Sequence, residues 1–136
     1  MRVRLLGTLS VIVGLAVIAF GAAVSHAAPS QQQGVVFLEQ PTQINGYLVQ
    51  GSILIVHDEA KMDRGEACTT IYQYRTGKGP GKEITRFTCT PVQRKAVDKF
   101  TVNCRRLSTI GSVQINALTE YQFPGETEGH GVPRER

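Results

Sequence analysis

The chain has 136 residues, with 15 Lys and Arg against 11 Asp and Glu, a length that leaves room for one small domain and excludes a multidomain enzyme. Hydrophobic residues make up 41% and charged residues 19% of the chain, which is the composition of an ordinary globular protein. The basic residues are scattered along the sequence, so no stripe of positive charge predicts nucleic-acid binding.

The first 27 residues have the three-part pattern of a secretory signal peptide. Arg2 and Arg4 form the positive segment, a long apolar run follows, and small residues precede the expected cleavage site after Ala27. About 20 apolar residues would also suffice for an uncleaved N-terminal membrane anchor, but the glycines and the small-residue end favour cleavage. We therefore predict a secreted or periplasmic protein that is free of the membrane once the signal peptide is removed.

The remainder of the chain predicts strands. Residues 28–34, rich in Pro, Ser and Gln, predict a flexible leader, and residues 35–123 alternate β-forming segments with Gly, Pro, Asp and Asn clusters. The predicted strands cover six segments: 35–38, 46–57, 67–74, 83–90, 99–104 and 112–123. Since consecutive strands with short connections pair with each other, we expect one all-β domain, a small antiparallel meander forming a barrel or sandwich. Residues 124–136 predict a Gly/Pro-rich C-terminal tail.

The three cysteines are the most specific feature, because a chain that leaves the cytosol normally forms disulfides. A hairpin of the third and fourth predicted strands, with its turn centred between Lys78 and Gly79, places Cys68 opposite Cys89. A bridge from Cys89 to Cys104 fits less well, since the residue opposite Cys89 falls about four residues short of Cys104, roughly 13 Å along a strand. We predict a Cys68–Cys89 disulfide that stabilises the fold by roughly 3 kcal/mol and a free, buried thiol at Cys104.

The cysteines and histidines also form an alternative, a metal- or haem-binding site. Imidazole and thiolate are the usual ligands of zinc and copper, although the chain has no C-x-x-C or C-x-x-C-H spacing. The first candidate set consists of four side chains: His57, Cys68, Cys89 and His130. In an extended tail Glu126, Glu128 and His130 point to one side, so the two carboxylates extend the set of candidate metal ligands.

Three functions are compatible with these patterns. The preferred one is a binding or structural module of the cell envelope, stabilised by one disulfide, needing no cofactor and meeting a partner in the envelope or outside the cell. The second is a secreted protein that holds a metal ion or haem with the His57, Cys68, Cys89 and His130 set. The third is a small thiol enzyme that uses Cys104. The sequence predicts no catalytic residue, because it contains neither G-x-S-x-G nor H-E-x-x-H.

Overall fold

The computed structural model describes residues 31–134, so the predicted signal peptide lies outside the described residues. Eight strands and one short helix make up this part of the chain. In chain order they are β1 (Gln31–Ile44), β2 (Tyr47–Asp58), α1 (Glu59–Asp63), β3 (Thr69–Arg75), β4 (Gly79–Phe87), β5 (Thr90–Gln93), β6 (Thr101–Ile110), β7 (Val113–Gln122) and β8 (Glu128–Gly131). Within residues 31–134 no helix is long and apolar enough to cross a membrane. The all-β prediction is confirmed.

The strands form a single open sheet. Its order is β4-β3-β2-β1-β7-β8-β5, with β6 paired to β7 as a branch. Strands β1 to β4 form an antiparallel meander, and a short parallel contact between β1 and β7 joins it to the C-terminal strands. The predicted barrel or sandwich is therefore wrong for the described residues. Because β5 pairs with β8 instead of continuing the meander, the two ends of the sheet are not joined and no second sheet is formed.

The two tightest hairpins contain the residues that their turns require. Between β1 and β2, Asn45 and Gly46 have φ values of 44° and 84°, which is the conformation of a two-residue type I′ turn. Between β6 and β7, Gly111 has a φ of 60° at the first turn position, where a type II′ turn favours glycine. Local sequence is thus sufficient to fix both hairpins.

The sheet curves around a core to which both of its halves contribute. Ile55 and Ile71 from the meander belong to the same buried cluster as Tyr121 and Phe123 from the C-terminal part. The hydroxyl groups of Thr69 on β3 and Tyr121 on β7 are 2.5 Å apart, although these strands are separated by β2 and β1 and would lie about 14 Å apart in a flat sheet. The curvature therefore brings side chains of β2 and β3 against those of β7 and β8.

The flexible leader predicted for residues 28–34 is wrong for its last four residues, because β1 begins at Gln31. Strand pairing uses backbone groups and needs no apolar side chain, so this polar segment pairs with β2, with Gln31 opposite Asp58. Gln32 also donates a hydrogen bond of 2.6 Å to Glu126. Gly34 is buried against the ring of Phe100.

The C-terminal tail predicted for residues 124–136 is also ordered in part. Residues Glu128–Gly131 form β8, which pairs with both β5 and β7, and His130 and Val132 are buried. Strands β5 and β8 are missing from the six predicted strands. Each has only four residues and contains Pro or Gly, so its strand conformation depends on its partners rather than on its own composition.

A test of the early start of β1 is provided by Gly34→Ala. A Cβ at this position would lie 2.5 Å from ring atoms of Phe100, so we expect the free energy of unfolding to fall by about 1–3 kcal/mol, the usual cost of overpacking. Gly81→Ala is the matched control, since the nearest atom to its new Cβ is 3.4 Å away. Urea denaturation measures both changes, and equal stability of the two variants would contradict the packing of Gly34.

Candidate metal centre

Four separate segments bring the first candidate set of side chains together in the core. His57 lies near the end of β2, Cys68 directly precedes β3, Cys89 lies between β4 and β5, and His130 belongs to β8. Each of the four is at most 4% exposed. Their convergence follows from the curvature of the sheet, which places β8 over the open end of the β2–β3–β4 meander.

Three donor atoms of this cluster lie close enough together to be candidate ligands of one metal ion. Cys89 Sγ is 3.8 Å from Nδ1 of His57 and 3.6 Å from Nδ1 of His130, and the ligand atoms of these three residues lie within 4.8 Å of one another. Sulfur and nitrogen bound to one tetrahedral zinc ion are about 3.5 Å apart, given bond lengths of ~2.3 and ~2.0 Å. The fourth donor atom, Cys68 Sγ, is 3.2 Å from Cys89 Sγ.

Carboxylates hold both imidazoles from the side opposite the sulfur atoms. Nε2 of His57 is 3.0 Å from Oε2 of Glu59, and Nε2 of His130 is 3.5 Å from Oε2 of Glu126. Because an ionised carboxylate can only accept, Nε2 carries the proton in each ring and Nδ1 directs its lone pair at the cluster. The same carboxylate–histidine arrangement orients and strengthens histidine ligands in metal sites.

Two members of the cluster, Cys89 and His130, carry no charge at pH 7. Burial, reinforced by the adjacent Cys68 thiol, raises the pKa of Cys89 to about 12. Burial, followed by the proximity of His57, lowers the pKa of His130, although Glu126 and Glu128 act in the opposite direction. Cys89 is therefore a thiol and His130 a neutral imidazole, and a bound cation would replace the thiol proton.

Two neighbours of the cluster, Tyr121 and Thr69, were not predicted. The Tyr121 hydroxyl donates to Nδ1 of His57 over 3.3 Å and bonds with Thr69, and its ring stacks on His130 with centroids 4.9 Å apart. Burial raises the pKa of Tyr121, so the hydroxyl remains a hydrogen-bond donor. The alternation along β7 provides a weak signal for Tyr121, which shares the inward parity of Phe123.

The structure brings Cys68 close to Cys89, as predicted, but no disulfide bond joins these two residues. Their sulfur atoms are not bonded and both residues are free thiols. The predicted register is displaced by one residue, since Thr69 rather than Thr70 pairs with Phe87. Both cysteines lie just beyond this last pair, where their side chains meet.

The prediction that Cys104 is buried is wrong. It is exposed on β6, which pairs only with β7. Every residue of β6 from Asn103 to Ile110 is exposed, so Cys104 lies where the strand has left the core and neither of its faces is covered. The exposed edge position leaves this thiol outside the His–Cys cluster.

The two tail carboxylates contact an imidazole instead of joining the donor atoms. Glu126 contacts Nε2 of His130, and Glu128 is 3.9 Å from its Nδ1. Together with Glu59 they line a cavity of about 430 Å³ beside His130. Three carboxylates suit a cation better than the largely apolar ring and anionic propionates of haem, so the site favours the metal ion over the haem alternative.

The fold and the site define an all-β protein with a buried cluster of two imidazoles and two thiols. Comparison with protein-family models, with curated proteins and with solved structures finds no match. The chemistry of the cluster is therefore the only indication of function within the described residues.

Proposed function

We propose that this protein binds a thiophilic transition-metal ion, with zinc as the reference ion, in its core. His57 Nδ1, Cys89 Sγ and His130 Nδ1 supply three donors, and Cys68 Sγ supplies the fourth. The observation that carries the proposal is the spacing of the ligand atoms of His57, Cys89 and His130. These residues come from distant segments, and their ligand atoms lie within 4.8 Å of one another. The carboxylates on both Nε2 atoms support it, because they direct the Nδ1 lone pairs inward.

The donor set selects the kind of metal and the kind of role. Sulfur and imidazole ligands favour zinc and copper over magnesium and calcium. Two thiolates balance the charge of a divalent ion, which reduces the cost of burying it. Four protein donors leave no open coordination position, as in structural rather than catalytic zinc sites. The bound ion would link β2 and β8 to the residues that precede β3 and follow β4.

Metal titration tests the proposal directly. Protein purified under reducing conditions and freed of metal with a chelator is titrated with zinc in competition with a chromophoric chelator, and with cobalt(II) in parallel. We expect one ion per chain, and for cobalt a thiolate-to-metal charge-transfer band together with the intense visible bands of tetrahedral coordination. The absence of saturable binding of either ion would reject the proposal.

The carboxylate beside His57 is expected to influence affinity without binding the metal. Glu59→Gln removes the negative charge that holds Nε2 of His57, so the dissociation constant for zinc should rise about 10-fold or more, as for other outer-shell partners. Glu83→Gln is the matched control, because Glu83 pairs with Arg86 in an exposed ion pair on β4. A Glu59→Gln affinity equal to that of the control would contradict the role of Glu59.

Zinc affinity should increase with pH. The pKa of Cys89 is raised to about 12, so at neutral pH the incoming ion must displace the thiol proton. Each displaced proton makes the binding constant change about tenfold per pH unit. The lowered pKa of His130 keeps this ring neutral, so proton competition at His130 begins only below the usual range of histidine. Competition titrations between about pH 6.5 and pH 8.5 measure the slope, and a pH-independent affinity would contradict thiolate coordination.

We also propose that the protein acts after export. The support is the N-terminal pattern of two arginines, an apolar run and small residues before Ala28. N-terminal sequencing of protein recovered from the periplasm or medium should begin at Ala28. Recovery of the uncleaved chain in the cytosol alone would contradict this location.

A further inference from the structure

The distance between the two buried sulfur atoms lies between those of two chemical states. Cys68 Sγ and Cys89 Sγ are 3.2 Å apart. In a disulfide they would be about 2.0 Å apart, whereas two thiolates on one tetrahedral zinc ion are about 3.8 Å apart, given zinc–sulfur bonds of ~2.3 Å. The sulfur atoms therefore need to approach by about 1.2 Å to form the disulfide or to separate by about 0.6 Å to share a zinc ion.

The backbone already holds the two residues in a position suited to both states. Beyond the Thr69–Phe87 pair that ends the β3–β4 ladder, Cys68 is the adjacent residue on one strand and Cys89 is the second residue on the other. The backbone N–H of Cys89 donates to Cys68 Sγ over 3.4 Å, and the carbonyl oxygen of Cys68 accepts from the backbone N–H of Asp58 over 2.8 Å. These bonds keep the pair together without involving the histidines.

We infer that the redox state of the Cys68–Cys89 pair controls the metal site, so that the dithiol form binds the ion and the disulfide form releases it. This inference rests on the proposed function, since it concerns the same donor atoms. A sulfur in a disulfide no longer carries the charge of a thiolate ligand. Oxidation therefore removes both sulfur donors in one step and leaves only the imidazoles of His57 and His130.

The oxidant is a peroxide, which is small and takes up two electrons. One thiolate attacks a peroxide oxygen, the O–O bond breaks, and hydroxide leaves as the sulfur becomes a sulfenic acid. The second thiolate attacks that sulfur, an S–S bond forms, the S–O bond breaks and a second hydroxide leaves. In total two thiolates and one hydrogen peroxide give one disulfide and two hydroxide ions, and the metal ion departs.

Hydrogen peroxide treatment of the zinc-loaded protein tests the inference. The experiment uses the Cys104→Ser variant, which lacks the exposed thiol. A chromophoric indicator follows zinc release, and mass spectrometry of peptides measures the Cys68–Cys89 disulfide. We expect one zinc ion to be released for each disulfide formed. The oxidised protein should bind zinc at least about 100-fold more weakly than the reduced protein, a larger effect than the loss of an outer-shell partner. Reduction with a dithiol should restore both thiols and the original zinc affinity.

The matched control is the same zinc-loaded Cys104→Ser protein incubated without peroxide. It should retain zinc over the time in which the treated sample has released half, and equally rapid release from both would overturn the inference. Zinc binding that is equally tight in the disulfide form would overturn the inference and leave the proposed function standing. Failure of the fully reduced protein to bind zinc would overturn both.

Discussion

Cys89→Ser is expected to lower the affinity for zinc by at least about 100-fold, more than the loss of an outer-shell partner. Cys89 Sγ is the atom that contacts the other three donors, at 3.8, 3.6 and 3.2 Å. Serine preserves the size of the side chain, but its hydroxyl does not replace a thiolate as a ligand of zinc. The competition titration measures the loss, and the charge-transfer band of the cobalt(II) form should disappear.

The same substitution should abolish stabilisation by the metal. A ligand present at 100 times its dissociation constant adds about 2.7 kcal/mol to the free energy of unfolding. We expect this increase for the parent protein and not for Cys89→Ser at the same zinc concentration. Cys104→Ser is the control, because its thiol is exposed and outside the cluster, and it should keep both the affinity and the stabilisation. Unchanged zinc binding by Cys89→Ser would exclude the proposed centre.

Ile55→Ala is expected to lower the free energy of unfolding by about 2–5 kcal/mol, the usual range for such truncations in a core. Ile55 is completely buried on β2 and pairs with Ile71 on β3. Its side chain fills the core beneath the site, two residues before His57 and on the same face of the strand. Since domains of this size have a total stability of about 5–15 kcal/mol, the variant should lose a large part of it.

Ile110→Ala provides the control for this truncation. Ile110 is 67% exposed at the β6–β7 turn, and a surface substitution of this kind usually changes stability by less than about 0.5 kcal/mol. Urea denaturation of the metal-free proteins measures both values. Similar losses for the two variants would contradict the described core, whereas a loss confined to Ile55→Ala supports it.

Elements with a strong local pattern are predictable from the sequence. The run Ile53-Leu54-Ile55-Val56 predicts a central strand, and β2 is paired on both sides. Asn45-Gly46 predicts the first hairpin because positive φ values are accessible to these residues at little cost. The approach of Cys68 to Cys89 is predictable to within one residue of register, because a hairpin turn relates the positions on its two strands.

Elements that depend on distant partners are not predictable in this way. Residues 31–34 are polar and β8 consists of Glu, Gly, His and Gly, so neither carries the periodicity of a strand. Backbone pairing with β2, β5 and β7 gives them their conformation. Cys104 is likewise exposed because β6 leaves the core after Val102 and residues 103–110 are all exposed, which alternation along one strand cannot reveal.

The sequence by itself determined the all-β class, the Asn45-Gly46 hairpin and the residue types available for a site, because these depend on local conformational preference and on side-chain chemistry. The tertiary structure decided that His57, Cys89 and His130 meet, and that Glu59 and Glu126 orient the imidazoles. The physical reason is the curvature of the sheet, which results from packing between its two halves and brings together residues that are 32 to 73 positions apart.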